Sequence, residues 1–494
     1  MEPSLSCGEL AAKAPGDDAG ADRLSALPDE VVLRILLRLE DAAAAGRTSV
    51  LATRWRRLWA CLPELRFPSP SDPRAIASAL LAHEASLSLL DVGADDATPE
   101  SVSAWLPASA RRLSGRLVFT NRVPGRSAND GGGKERAAAA FELPCLGNAT
   151  SVSLDLGCLG VALPRAGGGV FARLTELSLC RAQLHGPCAL GDAVSSRRCP
   201  CLQKLTVSDT LGLSNLAVRS DSLRHMELDR VRGLQKLTVV APALEYLKVF
   251  ACFYHQGNRP VADISARQLK VLRWRDLFDR SSVKLGRMKH LESLSTDLFL
   301  VYGSWRNNSS CLALLRRFKV IQELYLTLVY LDIDNQSYLL EDMKMLPAIM
   351  LLRLNVMSNG HACGASIFHV LRLCSGTRKL TLQLSRNSLE EENACLPGCI
   401  CDEQQSWKTE ELSLNRLQEV KIMFSGSEHE VTFVKQLFKW VTVLTKMRVT
   451  FDSLVTESQA KVLCQILQSF SRPEICMEFY MYKDVVEVLY VPED

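Results

Sequence analysis

The chain contains no apolar run of about 18 residues or more, so no segment reads as a membrane-spanning helix. It also lacks a dominant charge. Its 58 basic and 55 acidic residues leave a net charge of +3, too little for a broad nucleic-acid footprint. The basic cluster Arg54, Arg56, Arg57 is local and reads as the wet face of a helix rather than a phosphate site. Catalytic signatures are missing too. There is no G-x-x-x-x-G-K-[ST] loop for nucleotide phosphates, no H-E-x-x-H pair and no G-x-S-x-G elbow. With no RING-type cysteine–histidine pattern either, these absences leave a binding protein as the expected class and no catalytic residue to nominate.

Cysteine is the one chemically active residue type in good supply. Seventeen cysteines, an odd number, are scattered through leucine-rich segments rather than framing a small domain. Residues 1–21 are rich in alanine, glycine and acidic side chains, which predicts a disordered lead-in rather than a secretory leader. The thiols are therefore expected to be reduced in a cytoplasmic and/or nuclear protein. Two groups are dense enough to consider as metal sites: Cys395, Cys399 and Cys401, and the sparser Cys180, Cys188, Cys199 and Cys201. Neither has the paired C-x₂-C knuckles of a zinc site, so no metal and no cofactor are expected. His361, Cys363 and His369 invite a Cys–His nucleophile reading, but closeness in sequence is weak ground for a catalytic pair. Packing is the expected role there.

What the chain does have is a repeat. L-x-x-L-x-[LVI] motifs begin at Leu174, Leu202, Leu223 and Leu244, and continue less evenly at Leu269, Leu291 and Ile321. From Leu202 to Leu223 and on to Leu244 the step is 21 residues; a second series, at Leu213 and Leu234, has the same step. The period lies in the leucine-rich-repeat range. Two series half a period apart predict two extended segments per unit, not a strand plus a long helix. No unit can bury its own leucine face, so neighbours must stack and the ends need covers. Upstream, residues 72–90 read as a helix then a strand, 112–123 as a strand, and the glycine-rich 125–134 and 165–169 as loops.

Ahead of the repeats, residues 22–67 read as a set of amphipathic helices. Pro28 suits an opening turn, and Asp29 and Glu30 complement the positive helix N-terminus. Val31, Val32, Ile35, Leu36 and Leu39 share a face; Asp41 to Gly46 is where that helix can end. A second run, Val50, Leu51, Trp55, Leu58, Trp59 and Leu62, stops at Pro63. Leu27-Pro28-Asp29-Glu30, Ile35-Leu36, Arg47 to Leu51 and Trp55-Arg56-Arg57-Leu58-Trp59 together resemble a plant-type F-box in order and spacing. Gly46 departs from the pattern, standing where many relatives have a β-branched residue. Glycine inside a helix costs about 1 kcal/mol against alanine, which predicts a looser F-box centre.

After about Leu412 the pattern changes to strand, polar turn Ser425 to Glu428, amphipathic helix (Val431, Val434, Leu437, Phe438, Val441), strand. A helix from Glu457 to Phe470 and a strand near Cys476–Tyr482 follow. Leu417–Val420, Phe424-Ser425-Gly426, Glu428 to Phe433, Val443-Leu444-x-Lys446-Met447 and Ser469-Phe470 resemble the FBD region at the end of many plant F-box proteins with leucine-rich repeats.

These resemblances imply an α/β protein in four parts: a disordered 1–21, a three-helix F-box at 22–67, a curved, strand-rich leucine-rich solenoid at 68–411, and an α+β FBD-like cap at 412–494. They further imply the substrate-recognition subunit of an SCF-type cullin–RING ubiquitin ligase. Its F-box would bind the small Skp-family adaptor and its array a protein target; neither nucleic acid nor membrane is an expected partner. Leu27, Pro28, Val32, Ile35, Leu36, Leu51, Trp55 and Leu58 would build the F-box and its adaptor contact, some of them packing it internally. Without ligase coupling the same chain would be a leucine-rich binding scaffold or ligand sensor, and Gly46 is the feature that leaves this alternative open. The target-binding residues are not spelled by the sequence.

Overall fold

The computed structural model describes residues 27–123, 139–164, 169–186, 189–253, 259–302, 306–330, 338–385, 399, 401, 406–483 and 486–491. Cys188, Cys395 and the lead-in 1–21 lie outside them, as do the whole of the glycine-rich 125–134 and all of 165–169 except Gly169.

The organising element is a ladder of seventeen described strands. It starts at Glu64–Phe67, which pairs with Leu87–Asp95, and runs through Leu113–Arg122, Ser151–Asp155 and Glu176–Cys180. Every pairing is parallel until the final strand, Val486–Tyr490, which turns back antiparallel on Cys476–Lys483. The 21-residue period is written into the register: Lys204, His225 and Tyr246 are partners on three successive strands. The half-period series forms a separate four-stranded parallel sheet, with Asn215 opposite Lys236 and Lys236 opposite Val261. Between the two sheets alternate residues turn inward. Leu205, Val207, Leu216, Val218, Leu237 and Val239 are buried, each stabilising the stack by about 1.5–3 kcal/mol.

A repeated backbone feature closes each unit. Arg181, Asp209, Arg230 and Ala251, each just after its strand, all adopt φ near +50° (49°, 49°, 50° and 51°). This turns the chain sharply and lets each residue's N–H donate to the last carbonyl of the next strand: Arg181 to Ser208, Asp209 to Asp229, Arg230 to Phe250, Ala251 to Arg275.

The two-strand unit is local to the middle of the chain. Upstream, helices Pro73–Ala82 and Pro99–Arg112 separate the strands; Thr98 caps the second through its side chain. Downstream, helices Arg306–Leu315 and Gly364–Leu373 replace the second strand. A helix needs more chain per unit than a short strand, which explains the uneven spacing after Leu291. The C-terminal stretch continues the same ladder: Glu419–Phe424, Lys446–Phe451 and Cys476–Lys483 add to it in order, with helices Glu428–Trp440 and Glu457–Phe470 between them.

Candidate functional site: the helical head and the strand face

Three helices form the head: α1 (Asp29–Leu37), α2 (Ala42–Arg47) and α3 (Thr53–Ala60). The small-residue stretch expected to end the first helix is itself helical. Asp41 makes this possible by accepting the backbone N–H of Ala43 at 2.8 Å, and Ala42 and Ala45 are buried. Trp59 Nε1 donates to the Ala42 carbonyl at 3.1 Å. At Gly46 a methyl group would lie 3.6 Å from that indole nitrogen, an ordinary contact.

Arg54 is not a wet-face residue. Its guanidinium donates to Asp29 Oδ1 (Nε at 2.7 Å) and to the Leu27 carbonyl (Nη2 at 2.5 Å), fastening α3 to the start of α1.

The site residues divide by depth. Val32, Leu36, Trp55 and Leu58 are buried and hold the helices together. Leu27 is half-buried and Pro28 exposed. Ile35 is 37% exposed and Leu51 60%. Val31, four residues before Ile35, and Leu39, four after it, are exposed as well, so α1 carries an inner stripe (Val32, Leu36) and an outer apolar stripe. Val50, 85% exposed, adjoins Leu51 in the short 3₁₀ turn between α2 and α3. The expectation that Val50 and Leu51 continue one apolar face with Trp55 and Leu58 is corrected: the turn directs them outward. Exposed aliphatics therefore lie both on α1 and in the turn before α3.

The head is built into the array. His83 is fully buried, and its Nε2 lies 2.8 Å from the Leu62 carbonyl. Its ring meets Trp59 edge-on at 5.9 Å. Glu84 N–H donates to the Ala60 carbonyl. Burial pushes the His83 pKa below its ordinary value.

A second surface lies on the outward positions of the long ladder. His225, Glu227 and Asp229 stand beside Tyr246, Lys248 and Phe250, which stand beside Val271, Arg273 and Arg275. His225 Nε2 is 2.5 Å from Glu227 Oε1, and Lys248 Nζ is 2.6 Å from Asp229 Oδ2. Arg273 lies 5.5 Å over Tyr246 and Arg275 4.8 Å over Phe250. Of these outward residues, Tyr246, Phe250, Arg273 and Arg275 are of the types enriched at protein interfaces. Strand alternation located these positions in the sequence; which ones would cluster depended on cross-strand register.

The Cys–His nucleophile reading finds no support in the geometry. Burial pushes the Cys363 thiol up to about 12, which disfavours a thiolate nucleophile. His369 Nε2 is 2.7 Å from the Met343 carbonyl. His361 points elsewhere: its Nδ1 lies 3.6 Å from Cys399 Sγ and 3.8 Å from Cys401 Sγ. The sequence grouped the two thiols with Cys395 but not with this histidine, which lies 38 residues before the first of them. Among the described residues no helix is long and apolar enough to cross a membrane.

Comparison with known proteins bears on the same regions. Residues 102–277 match the family model described as the LRR repeats of FBD-associated F-box protein At5g56370. The F-box/FBD/LRR-repeat protein At4g03220 of Arabidopsis thaliana is 31% identical over 264 residues, 51% of each chain. The match thus spans about half the length of that relative. F-box/FBD/LRR-repeat protein At2g04230 of the same plant is 47% identical over 57 residues, 12% of each chain. F-box/LRR-repeat protein At1g55660, also from Arabidopsis thaliana, is 28% identical over 251 residues, 46% of this chain and 64% of that one. The chain is a relative of the plant F-box/FBD/LRR-repeat proteins, with repeats that match those of an FBD-associated F-box protein.

Proposed function

We propose that the chain is the non-catalytic substrate-recognition subunit of a Skp-linked cullin–RING ubiquitin ligase, working in the cytosol or nucleus. The helical head binds the adaptor, and the outward face of a leucine-rich solenoid holds a protein target. The observation that carries this reading is the outer apolar stripe of α1, Val31 and Ile35, together with Val50 and Leu51 in the turn. A helix that is apolar on two sides has one side for its own core and another for a partner. The similarity to F-box/LRR-repeat proteins supports the choice of a Skp-family adaptor as that partner.

The strand Glu64–Phe67, which follows the head directly, pairs with the next strand of the ladder, and His83 locks α3 against the array. A target on the strand face is therefore held at a fixed reach from whatever the head carries. Acceleration comes from proximity, not from groups on this chain.

Paired substitutions test the reading. Ile35→Asp should leave the chain folded and abolish capture by a purified Skp-family adaptor, whereas Leu36→Asp, at a buried site, should unfold the head. Normal capture by a folded Ile35→Asp chain would displace the interface from α1.

A further inference from the structure

The strand Leu351–Met357 ends in a tight turn. Asn359 and Gly360 follow it with φ of 47° and 85°, and His361 N–H donates back to the Ser358 carbonyl at 2.9 Å. Two consecutive left-handed residues fold the chain over itself and present the imidazole. Asn359 Nδ2 donates to the Tyr330 carbonyl at 2.9 Å, and the buried Tyr330 ring stacks beside His361 with centroids 6.3 Å apart. Tyr330 is fixed in turn by its hydroxyl, 2.6 Å from Ser366 Oγ. The histidine is thus held before anything binds it.

Cys399 and Cys401 arrive from a distant part of the chain. Cys401 is buried. Soon after it, Trp407 packs directly on the Gly364 backbone at the start of the helix Gly364–Leu373. Trp407 also sits 6.0 Å from both Phe433 and Trp440, so this return of the chain is anchored in the core.

The ligand atoms of His361, Cys399 and Cys401 all lie within 4.8 Å of one another, and among the described residues they are the one such group of histidine, cysteine and carboxylate side chains. Zinc–sulfur bonds of about 2.3 Å and zinc–nitrogen bonds of about 2.1 Å, at a tetrahedral angle, put nitrogen and sulfur about 3.6 Å apart. The two nitrogen–sulfur distances here are 3.6 and 3.8 Å.

We propose that His361, Cys399 and Cys401 form a three-ligand site for a zinc-class divalent cation, with water in the fourth position. Two thiolates and an imidazole match the borderline-soft preference of zinc. The paired-knuckle rule that argued against a metal applies to sites built from local sequence. Here one ligand comes from a turn 38 residues upstream of the first thiol, and the fold supplies the pairing. Binding releases the two thiol protons to solvent, so affinity rises with pH. The ion would staple the return segment at Cys399 and Cys401 to the turn after the strand Leu351–Met357.

The test uses the full chain, reduced, stripped with a chelator and titrated with Co(II), then competed with Zn(II). The expected result is one equivalent of cobalt with a thiolate-to-metal charge-transfer band, displaced by zinc. Cys399→Ser, Cys401→Ser and His361→Asn should each weaken zinc binding by about 100-fold or more. Cys201→Ser, at an exposed and separate thiol, should leave it unchanged. Alkylation of the wild-type chain, mapped by mass spectrometry, gives a reading that needs no variant: zinc should protect Cys399 and Cys401 and leave Cys201 reactive. Absence of the charge-transfer band, or equal alkylation of the partly exposed Cys399 with and without zinc, would overturn the proposal. A Cys399–Cys401 disulfide that survives reduction would do the same.

Discussion

The imidazole of His225 lies flat on the ring of Tyr246, centroids 4.1 Å apart and planes 2° from parallel. The two are register partners on adjacent parallel strands, so a 21-residue repeat turns two distant side chains into one stacked surface. Such a pair adds about 0.5–1.5 kcal/mol beyond its buried area. Arg273 covers Tyr246 from the next strand, and the proposed target face centres here.

Tyr246→Ala combined with Arg273→Glu therefore separates the two halves of the proposed function. The expected outcome is a small loss of stability, about 1 kcal/mol, unchanged adaptor binding, and loss of the target from the assembled complex. Quantitative affinity capture of wild type and variant, side by side, measures this. A target retained at wild-type level would place recognition elsewhere on the ladder.

Arg54 fastens α3 to α1 through Asp29 and the Leu27 carbonyl. Because its side chain is still 30% exposed, the charge itself contributes little. Most of the effect is in the lost geometry. Arg54→Ala should destabilise the head by about 1 kcal/mol, read as faster amide exchange in α1 and α3 while the strands 204–250 keep their protection.

Gly46 is the inexpensive position to improve. It sits in α2 with room for a methyl group beside Trp59, so Gly46→Ala should stabilise the head by about 1 kcal/mol through helix propensity alone. Thermal unfolding and amide exchange in α2 measure the gain. A destabilised variant would mean that the Trp59 indole needs the space.

The junction between head and array should weaken in acid because of His83. Its pKa is lowered in the folded chain by burial, so the neutral form is the one that packs. The stability it contributes is fully present above the unfolded value near 6.5 and is lost as the pH falls below it towards the lowered folded value. His83→Gln keeps a donor for the Leu62 carbonyl without titrating. Unfolding free energies at pH 7 and pH 5 should show a steeper acid loss in wild type than in this variant. Equal slopes would mean that His83 does not report on the junction.

The sequence was most informative where periodicity and burial coincide. The two leucine series became two sheets because alternation tells inner from outer positions whatever the partners are. The helix Glu457–Phe470 was visible for the same reason. Hidden features depended on things that periodicity does not encode. Val50 and Leu51 look like core residues in one dimension, yet a short 3₁₀ turn rotates them outward. Ala42 to Gly46 looks like the end of the first helix, yet an Asp41 cap and the indole of Trp59 make it a helix of its own. The helix Pro99–Arg112 has Pro107 inside it, a residue that argues against a helix from sequence. The grouping of His361 with Cys399 and Cys401 required the fold itself.

The most direct measurement is complex formation between the full chain and a purified Skp-family adaptor, followed by size-exclusion with mass determination and by calorimetry. The account predicts a one-to-one complex that Ile35→Asp and Leu51→Asp abolish without unfolding the chain. A well-folded full chain that forms no complex with any adaptor would contradict it, and would make this protein a leucine-rich binding scaffold that acts without a ligase.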